Sequence, residues 1–196
     1  DRPATQGARL IRFLGLELTF SDERCAAALS DESYLAAMAR FESALAAASA
    51  RNGVFPASHA EAIARVCDHA CFDAPALARQ ARIAGALAIP FVKALTEQVA
   101  ALSPEAARYV HFGATSQDVL DTAAALCLKS ATQRIGTLAV DLGDAAGALA
   151  KRHAQTPMLA RTLLQPAAPV PFGWKAAMWL APLARSYPRF RGAVRD

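Results

Sequence analysis

His111-Phe112-Gly113-Ala114-Thr115-Ser116-Gln117-Asp118-Val119-Leu120-Asp121-Thr122 reads as a turn that runs into the opening of a helix. Gly113 lets the backbone reverse sharply or lie close to a ligand. Thr115 and Ser116 carry hydroxyls suited to N-capping, and Asp118 places a carboxylate in the first turn, where the helix dipole favours it. A helix start with uncommitted N–H groups and two hydroxyls is a seat for a carboxylate or phosphate. Thr115 and Ser116 are therefore candidate anion-site residues.

Behind this turn the pattern changes scale. Leu120, Ala124, Cys127, Ala131, Ile135, Leu138, Leu142, Ala146 and Leu149 recur at spacings of four and three, and most charged residues take other faces. The next strong stop is Pro157, so the spacing predicts a helix from 116 to about 153, roughly 55 Å long. Uncapped stripes of this length belong to long-helix bundles. A returning helix over Phe172–Arg191 would pack through Trp174, Met178, Trp179 and Leu183. Pro182 and Pro188 each cost about 3 kcal/mol inside a helix, which predicts a kink or an early end near Leu180.

Ahead of the turn, shorter helices follow one another. A short one is expected over Ala8–Phe20, and Ser21-Asp22-Glu23 caps the next. Ser30-Asp31-Glu32 opens a stronger helix with Leu35, Met38, Phe41 and Leu45 on one face, ended by Asn52-Gly53. Ser58 and Glu61 have the spacing of a capping box. Asp73-Ala74-Pro75 opens another helix, Gly85 ends it, Pro90 begins a further one, and Ser103-Pro104-Glu105 starts a short turn leading to His111. No alternating strand, repeat or low-complexity linker stands out. The fold class is all-α, with a helical domain over 1–112 and the first part of a long-helix bundle over 113–196.

The totals narrow the function. Of the 196 residues 54% are hydrophobic and 19% charged, which suits a packed helical protein rather than a disordered one. The formal charge of +4 would suit an acidic ligand, but Lys and Arg do not cluster and no aromatics interleave them, which argues against nucleic acid. Cys25, Cys67, Cys71 and Cys127 are not a disulfide framework, and Cys67-Asp68-His69-Ala70-Cys71 lacks a second ligand pair, so no metal site is assigned. Leu163–Ala184 is apolar but holds Gln165, Lys175 and several prolines, so it is not expected to span a membrane, and Leu10–Phe20, which carries Arg12 and Glu17 and lacks a small-residue cleavage site, is not read as a signal peptide. A cytoplasmic enzyme is the default expectation. The chain starts at Asp1, which suggests that the natural start precedes it.

The first stretch closely resembles the first signature of the fumarase/aspartase superfamily, all-helical enzymes acting on carboxylate-bearing substrates. Met158-Leu159-Ala160-Arg161-Thr162-Leu163-Leu164-Gln165 through Pro171-Phe172-Gly173 resembles a second superfamily block. Ile89-Pro90-Phe91-Val92-Lys93-Ala94-Leu95 is similar to the carboxymuconate cycloisomerase branch, in which a muconate tricarboxylate closes to a lactone in protocatechuate breakdown. The likeness spans about Phe20 to Arg191.

The resemblance implies a small anionic carboxylate substrate, no metal or organic cofactor, and a homotetramer whose active sites are assembled from three subunits. His111 matches the signature histidine and would meet a substrate carboxylate or move a proton; without the family, it reads as a histidine tying a loop to the bundle. Thr115 and Ser116 would serve as caps and as substrate donors, with Gln117 beside them. Arg161, Thr162 and Gln165 match the second block, and Arg161 either pairs with a carboxylate or holds its loop together. Asp118, His153 and Lys93 read as structural or solvated, and Trp174 and Trp179 as core. In the elimination branches the second block reads Arg-Thr-His; Leu163 stands at that histidine's place and cannot move a proton. The flexible loop bearing the superfamily's catalytic serine has no counterpart before Asp196, so the chain is expected to be the front part of a longer enzyme. Beside the cycloisomerase stand two other readings: a fumarate-releasing lyase of the same superfamily, and a non-catalytic helical assembly fragment.

Overall fold

Side-chain caps open several of the helices. In the computed structural model, which describes residues 21–195, Asp22 accepts the N–H groups of Arg24 and Cys25 and opens α1 (Glu23–Ala28). Ser30 accepts the N–H of Ser33 and opens α2 (Asp31–Arg51), which ends at Asn52 and a left-handed Gly53. α3 (Ala57–His69) departs from the expected capping box. Its N-cap is Pro56 with no side-chain bond, so Ser58 already lies inside the first turn. Proline's restricted φ prepares the chain for the helix at that point. Asp73 caps α4 (Ala74–Ala84), and Gly85 at φ 81° closes it. α5 (Ala88–Leu102) carries Pro90 in its first turn, where a missing donor costs nothing. Ser103 accepts the N–H of Ala106 and opens α6 (Pro104–Ala107). The helix expected over Ala8–Phe20 lies outside the described residues.

The chain forms two compact units, one ending at Ala131 and the other beginning at Thr132. The boundary falls inside α7 (Ser116–Arg152), a continuous helix of 37 residues. In the first unit Leu35 and Met38 of α2, Ile63 of α3, and Phe91, Leu95 and Val99 of α5 surround Val119 and Ala123 of α7. The Tyr34 hydroxyl donates to the carbonyl of Leu120 at 2.9 Å, tying α2 to the first turns of α7. The buried positions here are Val119, Ala123, Cys127 and Ala131, a strict spacing of four that lies partly beside the stripe read from sequence. Ile135, Leu138 and Leu142 of that stripe are exposed.

The second unit corrects two expectations. It contains an antiparallel hairpin, β1 (Pro157–Thr162) with β2 (Gln165–Pro171), where sequence showed no strand. Pro166, Pro169 and Pro171 cannot donate to a ladder and are tolerated because the sheet has two strands, both of them edges. Leu163 and Leu164 close the hairpin with φ of 45° and 63°, the signs of a two-residue mirror turn that usually recruits Asn and Gly. The returning helix α8 (Phe172–Arg195) does not stop near Leu180 but runs through both prolines. Pro182 and Pro188 are exposed, so water can reach the carbonyls they leave unpaired. Packing holds the helix on either side of each: a Cβ placed at Gly143 of α7 would lie 3.7 Å from Leu183, one at Gly147 3.8 Å from Leu180, and one at Gly136 3.7 Å from Phe190. Trp174, Met178 and Trp179, expected as packing residues, are 58%, 57% and 53% exposed, because α8 meets α7 through Gly173 and Ala176 instead.

Gly173 is the tightest point of this unit. Its N–H donates to the carbonyl of His153 at 2.8 Å, and the Phe172 N–H donates to Thr156 at 2.8 Å. A Cβ on Gly173 would stand 2.4 Å from the Ala150 carbonyl oxygen and 2.8 Å from the Ala154 backbone. Gly173→Ala is therefore expected to destabilise the second unit by about 1–3 kcal/mol. Urea unfolding followed by tryptophan fluorescence measures it, since both tryptophans lie on α8; an unchanged midpoint contradicts the packing described.

Candidate functional site at the start of the long helix

The turn before α7 is held by short-range bonds. Phe112 N–H donates to Tyr109, Ala114 N–H to His111 and Asp118 N–H to the carbonyl of Thr115. His111 and Gly113 both sit at positive φ, 58° and 77°. Only Gly113 adopts this region without a steric penalty, so something must hold His111 there. The holder is Glu42, on the core-facing side of α2 and 1% exposed. Its Oε2 accepts the His111 backbone N–H at 3.0 Å, and its Oε1 lies 2.6 Å from His111 Nδ1. Burial holds the Glu42 pKa above the usual carboxylate value, and the bonds and charge of His111 offset only part of that rise. Aromatic packing fixes the flanks: Tyr109 stacks on Phe55 with centroids 4.4 Å apart and on His59 at 5.3 Å, and Phe112 meets Tyr109 edge-on at 5.9 Å.

The helix start itself is partly committed. Asp118 Oδ2 accepts the Thr115 N–H at 2.8 Å, the return half of a capping box. Gln117 Nε2 donates to Asp121 Oδ1 at 2.5 Å, one turn along the helix. The N–H groups of Ser116 and Gln117 and the hydroxyls of Thr115 and Ser116 have no acceptor or donor among the described residues. Thr115 and Gln117 are exposed and Ser116 is half-buried. Two free amides and two free hydroxyls at the positive end of a long helix can receive a carboxylate.

His111, Thr115, Ser116 and Gln117 thus share one turn of the first unit. Arg161, Thr162 and Gln165 belong to the second unit, where they flank the hairpin tip and are exposed; Thr162 and Gln165 are register partners. A cleft of about 590 Å³ in the second unit is lined by Gly143, Gly147, Leu180, Leu183 and Tyr187, and by none of the candidate residues. Among the described residues no group of three or more His, Cys, Asp or Glu side chains gathers as metal ligands. Burial, with the charges of Glu42 and Asp68 adding to it, pushes the Cys67 thiol up to about 12, so it is not a thiolate donor at neutral pH.

A lyase family model matches residues 20–196. The chain belongs to this lyase family, within the fumarase/aspartase superfamily. This lyase-family chain is 52% identical over 173 residues to a 3-carboxy-cis,cis-muconate cycloisomerase of Bradyrhizobium diazoefficiens, covering 87% of the chain and 38% of that protein. It is 48% identical over 158 residues to a nitrosuccinate lyase of Streptomyces davaonensis, covering 79% of the chain and 32% of that protein. The crystal structure of the 3-carboxy-cis,cis-muconate lactonizing enzyme from Pseudomonas putida superposes with a TM-score of 0.85 at 41% identity, covering 90% of this chain and 40% of that one. The chain therefore spans well under half the length of the relatives it matches.

No motif marks Glu42, yet its position carries a signal: Leu35, Met38, Glu42 and Ala46 form one helical face, and a lone carboxylate on an apolar face requires a partner. For Asp118 the geometry supports a capping role. Asp118→Ala is expected to cost about 1 kcal/mol of stability, the usual worth of such a contact. Urea titration of the first unit by far-ultraviolet dichroism checks this, and an unshifted midpoint contradicts it.

Proposed function

We propose that the protein to which this chain belongs is a cycloisomerase that closes 3-carboxy-cis,cis-muconate to a carboxymuconolactone. The single observation that carries the reading is the turn itself: free amides and hydroxyls at the start of α7, beside a pinned His111, in a lyase-family chain half identical to a cycloisomerase. In the reaction one carboxylate oxygen adds to a double bond of the same molecule, and the carbon beside another carboxylate gains a proton. The unstable species between is an enediolate. Donors preorganised around its oxygens are worth about 3–4 kcal/mol each. The amides of Ser116 and Gln117 and the hydroxyls of Thr115 and Ser116 take that role, and His111 contacts a carboxylate or moves a proton. Arg161, Thr162 and Gln165 supply further substrate contacts from the hairpin.

The apolar side chains left exposed on α7 and α8, among them Leu138, Leu142, Trp174 and Trp179, suit further helices packing onto them. A homotetramer supplies those helices and brings the hairpin of one subunit toward the turn of another; residues 1–112 are then the outer domain and 113–196 the start of the shared bundle. No helix among the described residues is long and apolar enough to cross a membrane, which accords with a cytoplasmic enzyme. Elimination is the second reading, favoured by the 48% identity to a nitrosuccinate lyase; Leu163, unable to transfer a proton, weighs against it.

The full-length gene product is expected to bleach the ultraviolet absorbance of the conjugated diene and to leave nitrosuccinate intact. Thr115→Ala with Ser116→Ala is expected to slow lactonisation by on the order of 10²-fold or more, the loss of at least one such donor. Consumption of nitrosuccinate with the diene untouched establishes the elimination reading instead, and loss of neither establishes a non-catalytic assembly role.

A further inference from the structure

The buried contact between Glu42 and His111 does more than close a turn. A helix places Glu42 among Leu35, Met38 and Ala46, where an ion without partners is costly. Both of its carboxylate oxygens are engaged by one residue: Oε2 by the His111 backbone N–H at 3.0 Å and Oε1 by the ring at 2.6 Å. A two-point grip of this kind fixes the backbone, the ring plane and the identity of the inward ring atom together. That inward atom is Nδ1. Nε2 has no partner among the described residues, and none of their buried side-chain nitrogens lacks one, so Nε2 reaches solvent. The His111 side chain is 15% exposed, which is the face an incoming ligand would meet.

We infer that Glu42 is a positioning residue that holds His111 in its Nδ1–H tautomer, leaving Nε2 as the ring atom that meets the substrate and takes up or returns a proton. The inference rests on the reading of His111 as the substrate-facing residue of the turn. A carboxylate that already accepts a main-chain N–H is a strong acceptor for a second N–H, so the shared proton resides on Nδ1. When Nε2 takes a proton, the ring gains a positive charge directly beside the Glu42 carboxylate, and no other bond changes. A carboxylate that orients an imidazole and stabilises its cation is a general device of acid–base catalysis. A glutamate that only packed the turn would leave the tautomer free, and glutamine would replace it.

The test begins with the chain labelled with 15N-histidine, at a pH where the ring is neutral. His111 is assigned by single substitutions of His59, His69 and His153. The ring nitrogens are expected to show a protonated Nδ1 and a bare Nε2, and Glu42→Gln, with helix content retained, is expected to give a mixture of tautomers. In the full-length enzyme Glu42→Gln is expected to lower kcat by on the order of 10²-fold with KM changed only a few-fold, since the acid–base contribution is lost and the binding donors remain. A wild-type His111 carrying its proton on Nε2 overturns the inference, as does a Glu42→Gln enzyme with unchanged kcat. Should Glu42→Gln fail to fold, the wild-type tautomer alone decides. A full-length enzyme that leaves the diene unchanged removes the lactonisation reading while the Nδ1–H result stands.

Discussion

A buried carboxylate needs donors, and in this chain the donors come from the residue that begins the functional turn. Glu42 is 1% exposed in the middle of α2, and His111 is the residue that answers it. Removing either partner would strand the other, so the contact constrains both elements. It holds His111 at a positive φ that a histidine would otherwise leave, and it fixes where the chain stands when α7 begins. Tyr109, Phe55 and Phe112 add apolar packing around the turn, and the Tyr34 hydroxyl ties α2 to Leu120 one turn into the helix. The helix start is preorganised by these contacts before any ligand arrives, which is the condition for its free amides and hydroxyls to stabilise a transient charge.

The second unit is built on a different principle. Its two helices meet through small residues: Gly136, Gly143 and Gly147 of α7 leave room for Leu180, Leu183 and Phe190 of α8, and Gly173 leaves room for the end of α7. Close approach along this seam uses up little of the bulky apolar surface. Ile135, Leu138, Leu142, Trp174 and Trp179 remain exposed, and a helical face that is apolar on more than one side packs against more than one neighbour. The exposed hairpin, with Leu163 and Leu164 held in left-handed conformations at its tip, has the same character. Arg161, Thr162 and Gln165 are carried on this element with their side chains exposed.

Much of this was legible in the residues. Ser30, Asp73 and Ser103 announced three helix starts and Gly53 and Gly85 two ends, because caps are local chemistry with local consequences. The extent of α7 followed from the absence of any stop before Pro157. Long-range choices were less visible. The core-facing side of α7 was legible in part: Cys127 and Ala131 of the spacing-based stripe are buried, whereas Val119 and Ala123 take the fully buried places ahead of Leu120 and Ala124, and only packing decides between them. The hairpin was hidden by its own prolines, and the persistence of α8 through Pro182 and Pro188 by a cost that packing on α7 offsets. The anion seat was readable from Thr115, Ser116 and Asp118, whereas its anchor was not, because Glu42 lies 69 residues from His111 in the chain.

The most direct test of the account is a crystal structure of the full-length gene product with its lactone product bound. The account predicts a product carboxylate within about 2.7–3.2 Å of a Thr115 or Ser116 hydroxyl or of the Ser116 or Gln117 amide, with His111 Nε2 facing the ligand. A product held elsewhere, with those groups turned into protein packing and the His111 ring away from any cleft after all subunits are in place, would contradict it.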